Sequence, residues 1–536
     1  MKKARLIAIL LALVIVVSAC SKGSDGDAAP GASAPAAANT DSASSPAPGS
    51  GGDAGNKVTI TMGINFQFAN MDLQEGGHAT ALNLLYEGLF QANPYTGEVE
   101  MLLVKNWEYL DDLTLKLELR EDVYFQCGRQ LTAEDVLYSL SDMAASTFGQ
   151  YYSAYDFDNS YAEGDFTVIL KTFEPFGPGV ANLARAGDIH CSVHYPTFSS
   201  ADIWDHHCGT GPYTLVENVS GSHTTLTLRE DYWNKAAMPE VDTFVLRSYS
   251  EVSTMFIDFE NGALDMVFSL DDSSYRRLLA GEVPGATVKA PSIFNMYVLT
   301  LPEYVELFDD VRVREAFTIA IDWAIVGEIG MGALATLPTS NLPASMYPYY
   351  QYQGAYEFNP ARARQLIADA GYSDGEIVFN VVATTDSAEM RMYEAMQAYL
   401  DDVGISLSFE AFDPSTAMPR IASGDTDMWL MVPRGSTPIA EPTLTLSDGH
   451  AHANAFLAPT RITDPEYNAY WDLGRFSLDV NERIEAYGKV QEWLHNNYRH
   501  IPILEVVNPF AYYDSVVADF NSYVVYGPNL CWVRLA

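Results

Sequence analysis

Apolar and polar residues alternate over Leu113–Arg120: Leu113, Leu115, Leu117 and Leu119 fall on one side of an extended chain, and Thr114, Lys116, Glu118 and Arg120 on the other. Successive side chains of a strand point to opposite faces, so this period of two predicts a half-buried strand. The same period at Phe166-Val168-Leu170, Leu226-Leu228 and Ile405-Leu407-Phe409 predicts three more. The stretch GDTDMWLMVPRGS (Gly424 to Ser436) carries the apolar run Met428 to Val432, expected as a buried strand ended by Pro433 and Arg434. Helical signals lie between the strands. Thr132 and Asp135 open a helix with Val136, Leu137 and Leu140 on one side. Asn359-Pro360 supplies a cap and a first helical residue, and Gly371 closes that helix. Ile484, Tyr487, Val490 and Leu494 recur at helical spacing near the end of the chain. Strands and helices interleave throughout, which predicts a mixed α/β fold with several sheets.

The first residues have a different character. Lys2, Lys3 and Arg5 precede an apolar run from Leu6 to Val17, followed by Ser18, Ala19 and Cys20. A basic start, a short apolar core and small residues predict a secretory signal over 1–19. The apolar run is too short for a membrane span, which needs about 20 residues. Ser21 to Asn56 holds only Ala, Gly, Ser, Pro, Asp, Asn, Thr and one Lys. Nothing there can offset the entropy of ordering, so 20–56 reads as a disordered tether. Beyond it no internal repeat or Pro/Gly-rich linker interrupts the chain, so domains are expected to be joined by strands.

Composition narrows the function classes. The chain is 48% apolar and 12% aromatic, enough for large cores and more than one domain. Its formal charge of −40 repels nucleic acid and anionic lipid headgroups, so neither is expected as a main partner. Catalytic signatures are missing: no G-x-S-x-G, H-E-x-x-H, G-x-x-x-x-G-K-[ST] or G-x-G-x-x-G occurs. His450 and His452 could share a metal or belong to a polar loop, and Asp111-Asp112, Asp271-Asp272 and Asp401-Asp402 read as solvated loop acids. Cys191 and Cys208 enclose a short loop, with His190, His194, His206 and His207 beside them. Export permits a disulfide, and the pair is the candidate for one. Free thiols remain open; a zinc site is disfavoured because paired C-x-x-C or H-x-x-x-H units are missing, and no metal or cofactor is expected.

A family becomes visible in the order of short motifs. Tyr86-Glu87-Gly88-Leu89, Thr96-Gly97-Glu98, Trp107, Leu119-Arg120-Glu121-Asp122-Val123-Tyr124-Phe125 and Thr132-Ala133-Glu134-Asp135-Val136 follow one another. Gly209-Thr210-Gly211-Pro212-Tyr213, Leu228 to Asn234, Asn261 to Asp265, Asp310 to Phe317 and Asn359 to Gly371 continue the set. This ordered series resembles the extracellular solute-binding proteins of family 5, typified by the oligopeptide, dipeptide and nickel receptors of ABC importers. Val17-Ser18-Ala19-Cys20 likewise resembles the lipobox of bacterial lipoproteins, which implies cleavage before Cys20 and lipidation of that residue.

The resemblance implies a two-lobed fold of the periplasmic-binding-protein type II, with an extra domain inserted in the first lobe and a hinge of crossing strands. By motif order, lobe one takes 57–90, 209–290 and 500–536, the inserted domain 91–208, and lobe two 291–499. The hinge is expected at Pro291-Ser292-Ile293 and from Arg499 to Ile503. Arg312 and Arg314 are expected in charge-paired surface contacts. The implied activity is non-enzymatic: a lipid-anchored, monomeric receptor at the outer face of the cell membrane or in the periplasm. It would capture a peptide or peptide-like solute for ABC permease subunits and, through them, the ATPase subunits. A solute- or pheromone-sensing lipoprotein of the same fold and a surface hydrolase are the rivals. Family members carry G-x-x-D, four residues, then G-W-x-x-D, whose final aspartate anchors a peptide ammonium. Aligned on Gly424 and Asp427, this chain has Val432, Pro433 and Ser436 at the second motif, with Arg434 between. A cation thus stands where an acidic anchor is usual, unless Asp427 or Glu441 substitutes, and this favours a ligand bearing a carboxylate or another planar anion. Gln67, Phe68, Asn295 and Tyr297 complete the expected substrate-binding set with Arg434 and Ser436.

Overall fold

The computed structural model describes residues 57–65, 79–146, 149–197, 207–431, 441–443, 462–521 and 529–536. The first lobe is built on a seven-stranded sheet. Its order is Tyr213–Val219, His223–Leu228, Thr243–Ser248, Thr59–Ile64, Met266–Phe268, Phe510–Tyr513 and Ala286–Lys289. Thr59–Ile64 runs parallel to both neighbours, and the outer pairs are antiparallel. Ile60, Met62 and Ile64 are buried, as a strand covered by other elements requires.

The inserted segment forms an antiparallel sheet in the order Val104–Asp111, Thr114–Leu119, Thr167–Thr172 and Tyr155–Ala162. Leu115, Leu117 and Leu119 are buried, as their alternation predicts. Leu113 departs from the pattern at 40% exposure, because the strand begins one residue later and Leu113 N–H instead donates to Asp111 Oδ1 in the turn. The helix Ala133–Ala144 starts where predicted. Asp135 Oδ2 accepts from Thr132 N–H at 3.0 Å and from its hydroxyl at 2.7 Å. This segment shares one continuous core with the first sheet: Leu117, Phe125 and Val136 belong to the same buried cluster as Ile60, Met62 and Phe244.

The second lobe has a sheet in the order Ala335–Thr336, His500–Val507, Ser292–Thr300 and Trp429–Met431, with Ile377–Thr384 and Ile405–Phe412 as a parallel pair beside it. Trp429–Met431 is the strand foreseen within Met428 to Val432. Phe308 stacks on Phe379 at 4.7 Å between ring centres, and Phe317 meets Phe379 edge-on. Asn359 Oδ1 accepts from Arg362 N–H at 3.0 Å to cap Pro360–Ala370, and Gly371 ends it in the left-handed region at φ 96°. Tyr487, Val490 and Leu494 of Val480–Asn497 are fully buried.

Two backbone passages join the sheets. Ala286–Lys289 leads through 290–291 into Ser292–Thr300, and His500–Val507 leads through 508–509 back into Phe510–Tyr513. His500–Val507, expected in the first lobe, is instead hydrogen-bonded in the second sheet, so the second passage lies beyond 499–503. The reason is in the side chains: Ile501, Ile503, Leu504 and Val506 are all buried and need cover on both faces, which a crossing segment cannot give. Arg312 pairs with Asp310 at the surface. Arg314 differs from expectation: it is buried and donates to the carbonyls of Asn497 at 2.7 Å and Phe308 at 2.6 Å. Burial and the neighbouring Arg499 bring its guanidinium down to about 10. It ties the helix Val311–Ile319 to the end of Val480–Asn497.

Candidate functional site

The space between the lobes is framed by the passages and by two sets of contacts that cross it. At the passages, Ser269 follows the strand Met266–Phe268 with φ 61°. Its hydroxyl donates to Asn508 Oδ1 at 3.0 Å, and Leu270 N–H donates to Pro509 O at 3.1 Å. A residue with a Cβ in the left-handed region costs on the order of 1 kcal/mol, and such positions collect at moving or ligand-binding parts. The end of a first-lobe strand is therefore bonded directly to the segment about which the lobes would turn.

The first set of crossing contacts joins the inserted segment to the helices Pro465–Phe476 and Val480–Asn497. Arg475 Nη2 lies 2.6 Å from Glu174 Oε1, and Gly177 N–H donates to Arg475 O at 2.9 Å. Arg483 Nη1 donates to Gly177 O at 3.1 Å, its Nε to Gly474 O at 2.9 Å, and its Nη2 to Glu441. A Cβ at Gly177 would stand 2.3 Å from Ser477 O and 2.8 Å from Arg483 Nε, so this close approach requires glycine. Arg483 and Glu441 side chains are 5% and 3% exposed. Burial alone would favour a neutral Arg483, but the Glu441 carboxylate beside it holds the guanidinium above its usual pKa. Tyr349 lies under the guanidinium at 5.6 Å. Tyr109 of the inserted sheet is pushed up to about 12 by burial, and the charges of Arg483 and Glu441 both reach it.

The second set joins Asp272–Leu279 of the first lobe to Trp323–Met331 of the second. Arg276 Nη2 lies 2.7 Å from Glu328 Oε1, and Asp272 Oδ1 accepts from Ala333 N–H at 2.6 Å. Gly332 holds φ 62°, and a Cβ there would fall 2.4 Å from the Asp272 carboxylate. These side chains are exposed, with Arg276 at 48% and Glu328 at 59%.

The expected solute contacts fall unevenly on this frame. Cys20, Gln67, Phe68, Arg434, Ser436, His450 and His452 lie outside the described residues. Asn295 sits on Ser292–Thr300, paired with Val506 immediately after the first passage. Tyr297 is buried in the second-lobe core, its hydroxyl 3.9 Å from Met331 Sδ. The two acids considered as substitute anchors are engaged within the protein: Asp427 Oδ2 accepts from Asn380 N–H at 2.7 Å, and Glu441 takes Arg483 and Thr443 N–H. Cys191 and Cys208 are both buried free thiols, and Cys127 and His194 lie against them. Sequence reasoning missed Arg483, Gly177 and Gly332, and weighed Glu441 only as a solute anchor rather than as the partner of Arg483. The tight Gly332-Ala333 turn after an apolar helix was a legible sign, whereas Gly177 and Glu441, two of the partners of Arg483, are more than 40 residues away in sequence.

A cavity of about 490 Å³ lies inside the first lobe rather than between the lobes, lined by Glu87, Asp188, Tyr232, Asn529 and Trp532 among others. Glu87 is buried there, accepting from Tyr232 Oη at 2.5 Å and Trp233 Nε1 at 2.8 Å. Burial outweighs these donors and raises its carboxyl to about 7. The Tyr86-Glu87-Gly88-Leu89 motif thus has a structural use.

The profile of the bacterial extracellular solute-binding proteins, family 5 (middle region), matches residues 98–454. The chain belongs to that family. It is a solute-binding protein and not an enzyme. Among its relatives, the glutathione-binding protein GsiB of Salmonella paratyphi A is 25% identical over 366 residues, covering 67% of this chain and 70% of that one. Two solved structures share the two-lobed fold. NikA from Brucella suis, in complex with Fe(III)-EDTA, superposes with a TM-score of 0.76 at 20% identity, over 89% of this chain and all of that one. DppA from Helicobacter pylori, in complex with the peptide STSA, gives 0.70 at 19% identity, over 89% of this chain and 98% of that one.

Proposed function

We propose that this solute-binding protein is the lipid-anchored receptor of an ABC importer, taking a peptide or peptide-like solute between its lobes and presenting it to the permease. The observation that carries the reading is the frame itself. Two lobes are joined by two short passages and bridged by two sets of contacts outside them, which is how a cleft closes over a ligand as a rigid-body hinge. A solute that touches both lobes favours the bridged form by its differential affinity for it. Glutathione in the name of a relative and a bound peptide in a structural neighbour support the solute class. Both are small molecules with several amides and at least one carboxylate, suited to a site in which Arg434 stands where an acid is usual. Cys20 would hold the receptor at the membrane, with 20–56 as its tether. Among the described residues no single helix is long and apolar enough to cross a membrane.

A thermal-shift screen of the mature chain tests the solute class, using short peptides, glutathione, amino-acid conjugates, oligosaccharides and metal chelates. A ligand at 100 times its Kd adds about 2.7 kcal/mol to stability. Peptides or glutathione should raise the melting temperature, and Arg434→Ala should reduce that rise. A rise with oligosaccharides or chelates alone removes the peptide reading. Anchoring has its own check: blocking the lipoprotein signal peptidase should leave a larger precursor, and an unaltered product would exclude Cys20 lipidation.

A further inference from the structure

Four ligand-bearing side chains from three separate stretches converge on one point in the first lobe. Cys127 lies in the tight turn closed by the Tyr124–Gln130 bridge, Cys191 and His194 follow the short strand Asp188–Ile189, and Cys208 precedes Tyr213–Val219. Their ligand atoms all lie within 4.8 Å of one another, and Cys191 Sγ is 3.4 Å from His194 Nδ1. Tetrahedral zinc bonds sulfur at about 2.3 Å and imidazole nitrogen at about 2.0–2.1 Å, so its ligand atoms stand roughly 3.5–3.8 Å apart. The cluster needs only a small contraction to reach that shape.

Backbone amides already point at two of the sulfurs. The amides of Val193 and His194 donate toward Cys191 Sγ, which makes Cys191-Ser192-Val193-His194 a knuckle wrapped around its own sulfur. The backbone amide of Cys127 reaches Cys208 in the same way. Cys191 N–H donates to Cys208 O at 3.1 Å, and Gln126 N–H to Gly209 O at 2.9 Å, so the three stretches are also bonded through their main chains.

An outer layer holds the knuckle in place. Asp135, fully buried at the start of Ala133–Ala144, accepts from Ser192 N–H at 3.0 Å, from Ser192 Oγ at 2.6 Å, and from Arg129. Arg129 Nη1 in turn lies 3.5 Å from Cys191 Sγ. Three thiolates, a neutral imidazole and a divalent ion carry one net negative charge, and this guanidinium offsets it. Such outer partners orient metal ligands and matter almost as much as the ligands themselves.

We propose that Cys127, Cys191, His194 and Cys208 form a structural zinc site that clips the inserted segment to the start of the first-lobe strand Tyr213–Val219. A Cys191–Cys208 disulfide would use two of the three sulfurs and would not account for the convergence of all four ligand atoms within 4.8 Å. Cys127 is exposed and His194 is not fully buried, which gives a metal a path of entry. The site is separate from the space between the lobes and does not depend on the identity of the solute.

The test uses the full mature chain, secreted in its own compartment and purified without chelators. Elemental analysis should find zinc stoichiometric with protein. Replacing it with Co²⁺ alone should give the intense visible bands of tetrahedral thiolate coordination. Chelation should lower the melting temperature, and zinc alone should restore it. Cys208→Ser should abolish zinc binding. His194→Ala, at a position that is not fully buried, should still fold yet lose most of its zinc, which separates loss of a ligand from loss of the fold. A peptide map that links Cys191 to Cys208 in metal-free protein would overturn the proposal. So would full zinc retention in His194→Ala.

Discussion

The two sets of contacts between the lobes solve the same problem with opposite physics. Arg483, held within the second lobe by Gly474 O and Glu441, reaches across to Gly177 O of the inserted segment from a buried site. Arg276 meets Glu328 in the open, half exposed on both sides. A buried charge bonded through all three of its nitrogens is intolerant of change, because removing one partner strands the other without solvent. An exposed pair is worth little, because water and salt already screen it. The buried set therefore defines where the inserted segment can dock, and the exposed set can break and reform as the lobes move.

The largest effect should come from cutting the buried set. Arg483→Met leaves Glu441 buried without its guanidinium and should cost about 3–5 kcal/mol in denaturant unfolding. The double change Arg483→Met with Glu441→Gln should recover part of that loss, and a cost no smaller than the single change would break the contrast. The buried carboxyls sharpen it further. Glu441 has a guanidinium in contact, whereas Glu87 is met by the neutral donors Tyr232, Trp233 and Thr210, and burial raises it from 4.5 to about 7. The folded protein therefore holds the Glu87 proton more tightly than the unfolded chain does. That contribution is fully present below pH 4.5 and is lost as pH rises toward 7. Glu87→Gln should flatten the fall in melting temperature across this window relative to the parent; parallel curves would show that Glu87 does not supply it.

Gly332→Ala should have the next effect, about 1–3 kcal/mol from a backbone conformation essentially limited to glycine. Its added Cβ also meets the Asp272 carboxylate, so the variant should weaken solute binding if this contact belongs to the ligand-bound form. Arg276→Ala should be the mildest, roughly 0–1 kcal/mol, with the difference fading as salt is raised. A larger, salt-independent cost would mean that the exposed set is not the screened contact described above.

Much of the fold was legible because it is carried by local periodicity. The alternation at Leu115-Leu117-Leu119, the Thr132 and Asn359 starts and the Gly371 stop depend only on neighbours in sequence, and each occurs where read. Strand ownership was less legible. His500–Val507 could be read as a strand, but its sheet is set by pairing with Ser292–Thr300, some 200 residues away. Arg314 was misjudged for a related reason: its partners are carbonyls, which leave no mark in a pattern of charges. The candidate site was read least well. Arg483, Glu441, Gly177 and the four-ligand cluster acquire meaning only when distant stretches meet, although Cys191-x-x-His194 was a visible half of the cluster. Arg434 and Ser436 remain readings of sequence pattern.

The central claim is that a solute draws the lobes into the bridged arrangement about 290–291 and 508–509. Double electron–electron resonance tests it most directly, with spin labels at Val216 in the first lobe and Val378 in the second, both exposed. Without solute the distance distribution should be broad and include separations longer than the bridged form allows. A peptide or glutathione that raises the melting temperature should collapse it to one short distance. A distribution left unchanged by a ligand that demonstrably binds would contradict the account.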